Sequence, residues 1–449
     1  MKKGFLIGLV MLTLGEQMLA QDTTRLSMMF LGDIMQHDSQ IIDAYDSVTK
    51  QYDYKPCFQY VKSLARSFDL AFGNLEVTLG GRPYKGYPQF SAPDELLVAL
   101  KDMGMDVLVT ANNHCVDRGR NGLERTIHML DSFNILHTGT FADEVSKLND
   151  HPLMIEKLGF RLALLNYTYG TNGLPVTRPN IVNHIDTADI RADLARARRI
   201  KPDAVIVFLH WGAEYQQLPS RSQEEFAEFC FNHGAQLVIG AHPHVLQPIE
   251  WQKDSNRLVV YSLGNFVSGQ RTRNRDGGAM LVVELKKVAH TLDSAVTTID
   301  SASYILEWVY RDPQKNYYVL PVPAFEHQKT EFIPLNVHRE AFDTFVTDSR
   351  NLYKKHNKNI GESFFNAPDT IITYKVLFTT LKDPLEPWTL FPPVPYGVET
   401  ETDDLGNVRC YSGNFLNRAA AEKYALRLRE GFGYKDSIIV GFVSGQRIP

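Results

Sequence analysis

The chain has 449 residues, more than one domain of roughly 100–200 residues accounts for, so two or three folded units are expected. Apolar residues make up 44% and charged residues 22%, the balance of a globular protein, which excludes a disordered, collagenous or coiled-coil chain. Forty-seven Lys and Arg against fifty-two Asp and Glu leave a net charge of −5, so no global basic field exists to hold nucleic acid and no such partner is expected.

In chain order, Lys2 and Lys3 precede an apolar run from Gly4 to Leu14, and Gln17-Met-Leu-Ala20 then ends in a small residue. That is the layout of a cleaved secretory signal over residues 1–20. The run falls short of the ~20 apolar residues of a spanning helix, so no transmembrane segment is expected after signal removal, and the protein is expected in the periplasm or cell envelope. Cys57, Cys115, Cys230 and Cys410 lack the spacing of a metal knuckle or redox pair and read as buried thiols.

Apolar runs that stop at polar residues come next. Leu26 to Asp33 is the first, followed by Phe68 to Glu76, Met105 to His114, Ala204 to Glu214, Ala235 to His244 and Leu258 to Phe266. Helical spacing recurs between them over Asp94 to Met103, Gly122 to Phe133 and Ser222 to His233. Near-continuous apolar strands alternating with helices predict α/β layers with strands buried on both faces, and ligands in such folds gather beyond the carboxyl ends of the strands. Aromatics and prolines over 300–335 suggest strands that wrap the first domain, 338–357 reads as a surface helix, and 359–369 as a linker.

The last eighty residues read as a separate unit. A strand over Tyr374 to Thr380 leads into a loop with Pro384, Pro387, Pro392, Pro393 and Pro395. A strand from Val408 to Tyr411 precedes a helix capped by Asn417, in which Ala421, Tyr424, Ala425 and Leu428 form one apolar stripe. Asp436 to Val443 is the last strand. Tyr411, Phe415 and Arg447 are the exposed candidates for contact with a ligand.

Asp33, Glu76, Asn113, His210, His242 and His244 come from five strand ends, and mixed oxygen and imidazole donors suit one or two divalent ions of Mn, Zn or Fe. His114 is placed to protonate a leaving group, with Asp117 three residues on to orient its imidazole. Asn74, Glu214 and Asn265 are expected around the ligands or against substrate, and Asn166 and Tyr167 as pocket lining. His37 lies off the pattern and reads as a structural histidine rather than a ligand, and Trp211, Tyr215 and Phe266 as packing. Each site residue also has a plainer reading: Asp33 and Glu76 as caps or turn residues, Asn113 and His114 as an Asn-rich turn.

The motifs Gly32-Asp33, Gly73-Asn74-Leu75-Glu76, Ala111-Asn112-Asn113-His114, His210-Trp211-Gly212, Gly240-Ala241-His242-Pro243-His244 and Tyr261-Ser262-Leu263-Gly264-Asn265-Phe266 together resemble the CapA capsule-synthesis family of poly-γ-glutamate capsule proteins. That resemblance implies a layered sandwich of mixed sheets flanked by helices, similar to calcineurin-like metallophosphoesterases, over residues 24–300, with 301–371 wrapping and linking. The Asp-x-His that opens the phosphoesterase pattern is replaced here by Asp33-Ile34-Met35. Its second motif becomes Asn74-Leu75-Glu76, so Glu76 supplies the carboxylate. Residues 372–449 resemble the SPOR domain, a small α+β module that implies peptidoglycan glycan strands as partner. The combined expectation is an exported metal-dependent hydrolase of capsule or cell-wall polymer. The alternative is a non-catalytic protein that binds envelope polymer or anchors capsule.

Overall fold

The computed structural model describes residues 23–291, 294–326, 338–363, 372–382, 394–403, 405–415, 418–443 and 446–448. The expected signal, nearly all of the proline-rich loop and the cap at Asn417 lie outside the described residues.

Alternation within the first strand explains its unbroken apolar reading. Along Thr23–Ile34, Leu26, Met28 and Phe30 point into one hydrophobic cluster, and Met29 and Leu31 point into a second. Phe160–Thr168 does the same, with Leu162 and Leu164 in the first cluster and Ala163 and Leu165 in a third. A strand with period 2 and both faces covered has no position left for a polar residue until it ends. Each fully buried Leu or Phe contributes about 1.5–3 kcal/mol by leaving water.

The clusters define four layers. A nine-stranded mixed sheet runs, edge to edge, Tyr317–Pro321, Ser294–Arg311, Gly277–Thr291, Thr23–Ile34, Leu70–Leu75, Val107–Val109 and Leu136–Thr138, with Asn265–Val267 and Gly361–Glu362 paired beside this path. A six-stranded mixed sheet runs Leu246–Gln252, Arg257–Leu263, Leu237–Ala241, Ala204–His210, Phe160–Thr168 and Leu153–Lys157. Leu26, Phe72, Ile206 and Val260 meet between the sheets. Helix Glu95–Met103 covers the outer face of the first sheet through Leu96, Leu97 and Leu100. Helices Thr187–Ile200 and Arg221–Asn232 cover the second through Ile190, Leu194, Ala227 and Cys230. The fold is thus the layered mixed-sheet α/β sandwich the sequence led us to expect. All four cysteines are buried free thiols.

The division expected at residue 300 falls inside strand Ser294–Arg311, whose pairing with Gly277–Thr291 carries it through as part of the first sheet. Helix Arg339–His356 is more than a surface helix, because Phe342, Phe345, Val346 and Tyr353 enter the inter-sheet cluster.

The five C-terminal strands form a separate antiparallel sheet in the order Glu399–Thr402, Val408–Phe415, Ile372–Leu381, Ile438–Val443, Gln446–Arg447. Helix Arg418–Gly431 lays Ala421, Tyr424, Ala425 and Leu428 on Val376, Phe378 and Phe415. Phe415 is therefore core, and Tyr411 is buried too, edge-on to Phe442 with its hydroxyl donating to Glu401 at 2.7 Å. Of the three residues expected to be exposed Arg447 alone is, because Phe415 lies under the helix and Tyr411 packs with Val440 and Phe442 in a separate cluster.

Close approach at the strand ends demands glycine. A Cβ on Gly32 would lie 2.1 Å from the Gly264 carbonyl oxygen, and one on Gly240 would lie 2.0 Å from that of Tyr261. Gly264, at φ 73°, lets the chain leave the second sheet and pair Asn265 with Asp33 in the first. We expect Gly240→Ala to cost about 3 kcal/mol or more, since the clash is with backbone. Gly361→Ala, where a Cβ meets nothing within 4 Å, should stay within about 0.5 kcal/mol in the same urea-denaturation series.

Candidate metal centre

Parallel pairing brings the polar strand ends to one level. Asp33 is in register with Asn74, Asn74 with Val109, and His210 with Ala241, which places Glu76, Asn113, His242 and His244 just beyond. Asp33, Glu76, Asn113, His210, His242 and His244 are all buried. The Asp33 carboxylate spans both sheets: Oδ1 accepts from Asn74 Nδ2 at 2.8 Å, and Oδ2 from the His242 amide at 3.2 Å and His244 Nδ1 at 3.1 Å.

Glu76 has no such partners. Both of its carboxylate oxygens are buried and unpaired, with His210 Nε2 3.6 Å and His244 Nε2 3.8 Å from Oε1. His242 Nδ1 is also without a partner. Two sets of ligand atoms, Glu76–His242–His244 and Asp33–Glu76–His210, each lie within 4.8 Å of one another and share Glu76. Unpaired oxygen and nitrogen atoms converging in a buried space fit a divalent cation, since buried polar atoms otherwise carry a desolvation cost.

The surroundings fix the imidazoles. Two acceptors, Asp33 Oδ2 and Asn265 Oδ1 at 3.0 Å, face His244 Nδ1, so that nitrogen donates and Nε2 is left as lone pair toward Glu76. Asn265 thus acts on the ligand His244, and its Nδ2 donates to the Arg275 carbonyl at 2.8 Å. Asn74 sits between Asp33 and His210 Nδ1, 3.2 Å away. Asn113 Oδ1 lies 2.8 Å from His210 Nε2. His242 and His244 hold φ of 97° and 57°, left-handed conformations that a side chain disfavours and that bend both rings back into the site.

Burial sets the charge states. It pushes His210 well below the ordinary imidazole range, with His242 and His244 adding repulsion, and it pushes His242 down to about 4. Neutral rings are what a cation needs. Burial, then Asp33, pushes Glu76 well above the usual carboxylate range.

Beside this cluster His114 Nδ1 meets Asp117 Oδ2 at 2.7 Å, and the same oxygen accepts the Phe90 amide at 2.7 Å. Phe90 packs edge-on to the His114 ring with centroids 4.6 Å apart. His114 and Asp117 line an open groove of about 410 Å³ with Asn113, Asn172 and the exposed Glu214.

Other expectations fare differently. Asn166 does not face the groove: its Oδ1 accepts from the Ala111 amide and its Nδ2 donates to the Phe208 carbonyl, tying strand ends together. Tyr167 lies on the opposite face of its sheet, with its hydroxyl on Asp193. His37 stays outside both ligand sets and accepts the Gly269 amide at 3.1 Å through Nδ1. Trp211 and Phe266 are packing, whereas Tyr215 is 42% exposed at the rim, 6.2 Å from the His244 ring. Tyr169 went unnoticed in the sequence; it is 47% exposed and lies against the His242 ring at 4.5 Å. The signal was one residue away, since Thr168 is in register with His210 and the next residue must reach the same level.

Manganese, zinc or iron is expected to bind the purified protein, and His242→Ala and His244→Ala to weaken that binding, as read by metal analysis after dialysis. Because burial and then Asp33 favour the protonated form of Glu76, metal uptake there should release a proton. Calorimetry in two buffers of different ionisation enthalpy would show it, and Glu76→Gln should abolish the difference.

Residues 27–270 match the family described as "Bacterial capsule synthesis protein PGA_cap". "Capsule biosynthesis protein CapA" of Bacillus anthracis is 30% identical over 276 residues, covering 57% of this chain and 63% of that protein. "PGA biosynthesis protein CapA" of Bacillus subtilis strain 168 is 31% identical over 274 residues, covering 58% and 68%. The chain therefore spans under two thirds of the first of these relatives. Among solved structures it is similar to the calcineurin-like phosphoesterase YfkN from Bacillus subtilis at 11% identity and a TM-score of 0.39, covering 72% of this chain and 100% of that one. The family match runs over every strand end from Asp33 to Asn265, and the chain belongs to the bacterial capsule synthesis protein PGA_cap family.

Proposed function

We propose that the protein is an exported metal-dependent hydrolase that acts in capsule or cell-wall polymer synthesis or processing and is held at peptidoglycan by its C-terminal module. The observation that carries the reading is Glu76, a buried carboxylate with both oxygens unpaired at the junction of two ligand sets, beside the His114–Asp117 pair. Asp33, Glu76, Asn113, His210, His242 and His244 would hold one or two ions. Manganese, zinc or iron bound there lowers the pKa of a water to near neutral and polarises a phosphoryl or acyl oxygen.

The remaining work falls to the chain. Asp117 accepts from His114 Nδ1 and stabilises the imidazolium, so that Nε2 can give its proton to a leaving oxygen or nitrogen. Phe90 holds the ring edge-on and shields it from water. Asn265 keeps His244 in the tautomer that offers Nε2. Export is supported by the basic and apolar N-terminus, and no helix among the described residues is long and apolar enough to cross a membrane. Peptidoglycan binding is supported by the order of strands, helix and glycines over 408–447 and by exposed Arg447.

A second reading, a non-catalytic polymer-binding or anchoring protein, draws on Asn74. An amide stands between Asp33 and His210 where the phosphoesterase pattern has a carboxylate. The two readings separate on His114. We expect His114→Ala to lower kcat by about 10²–10⁴-fold with little change in KM, measured on capsule polymer or a phosphodiester. Absence of turnover by the wild type with any of the three metals would favour the second reading. Sedimentation with purified peptidoglycan tests the C-terminal module, and deletion of residues 372–449 should abolish it; unchanged sedimentation would sink that assignment.

A further inference from the structure

We propose that Arg275 seats a carboxylate of the substrate chain on the flank of the metal centre opposite His114. This rests on the reading of the centre as the place that takes polymer, and it names the residue that selects the polymer's charge. Arg271, Arg273 and Arg275 share the loop between strands Asn265–Val267 and Gly277–Thr291. The first donates to the Val309 carbonyl and the second pairs with Asp348. Arg275 is partly exposed and forms no ion pair among the described residues; its guanidinium carbon lies 3.9 Å from the Tyr215 ring centroid.

Backbone and ring contacts hold this cation in place. Asn265 Nδ2 donates to the Arg275 carbonyl at 2.8 Å, and the Arg275 amide donates to the Thr272 carbonyl at 3.0 Å. The same Asn265 presents Oδ1 to His244 Nδ1 at 3.0 Å, so one amide serves both a metal ligand and the cation. Tyr215, at φ 67° and with its amide donating to the Pro243 carbonyl at 2.8 Å, stands 6.2 Å from the His244 ring and carries the guanidinium on its face. Its hydroxyl interacts with both Glu214 and Arg275, yet these two charges form no direct ion pair. A guanidinium held against an aromatic face keeps donors at its edge, and their planar fork matches the two coplanar oxygens of a carboxylate.

Topology sets which flank this is. Asp33 is in register with Asn265 on one side and with Asn74 on the other, and Asn74 is in register with Val109, whose strand leads to His114. The strand beside Arg275 and the strand before His114 are therefore three spacings apart, about 14 Å, with the ligand carboxylates between them. A carboxylate at Arg275 thus lies across the centre from the group that serves the leaving atom. A divalent ion in the centre attracts an anionic chain as well, and Arg275 extends that field toward the Tyr215 rim.

The test is calorimetry on the full chain at two ionic strengths, with and without Mn²⁺, using a γ-linked glutamate hexamer and the same hexamer with its α-carboxylates converted to carboxamides. The wild type should bind the carboxylate form more tightly in both metal states. Arg275→Gln should weaken that form about tenfold, flatten its salt dependence and leave the carboxamide form unchanged. Arg275→Lys should keep part of the preference, because it keeps the charge and loses the fork. Thermal melts and metal content would confirm that the variants fold. Equal binding of the two forms by the wild type, or no binding of the carboxylate form, overturns the proposal. So does an Arg275→Gln variant that weakens both forms alike or neither, and so does a preference that vanishes with the metal, which would assign the anion to the ions. Turnover does not enter the measurement, so failure of the hydrolase reading leaves this result standing, and failure here leaves the His114→Ala kinetics untouched.

Discussion

The Asp33 carboxylate is the bond between the two sheets at the point where chemistry is possible. It sits on the first sheet, accepts one hydrogen bond from Asn74 beside it, and accepts two from His242 and His244, which follow a strand of the second. With Asn265, which also faces His244 Nδ1, that anion holds the two left-handed histidines of the loop after Leu237–Ala241 facing inward. Gly32, Gly240 and Gly264 serve the same end, because they let the strand ends come close enough for one side chain to span the gap.

Around this tie the centre is built at a cost. Glu76 is buried with its oxygens unpaired, and His210 and His242 are buried among other imidazoles, an arrangement that pushes the acid up from the usual carboxylate range and the rings down from the usual imidazole range. Hydrophobic layers on both faces of both sheets supply the rigidity that sustains such an arrangement. His114 has its own partner in Asp117.

Much of this was legible along the chain. Apolar runs that end in Asp33, Glu76, Asn113, His210 and His242 marked strand ends, and parallel pairing had to align them. The misreadings share one cause. Asn166 and Tyr167 ended an apolar run like the others, yet that strand continues to Thr168, so the residue that reaches the site is Tyr169. Tyr411 and Phe415 looked free in a short strand, but Phe415 lies under the covering helix and Tyr411 packs with Val440 and Phe442. Where a strand ends and which face is covered are set by distant partners, which local pattern does not record.

The sequence by itself determined the layered α/β class, the near-neutral charge and the donor set, because periodicity, composition and residue chemistry are local properties. Tertiary structure alone decided that Glu76 is left without a hydrogen-bond partner, that Asn265 governs His244, and that strand Ser294–Arg311 completes the first sheet. Those are facts about what meets across the fold rather than along the chain, and only packing brings such groups within reach of one another.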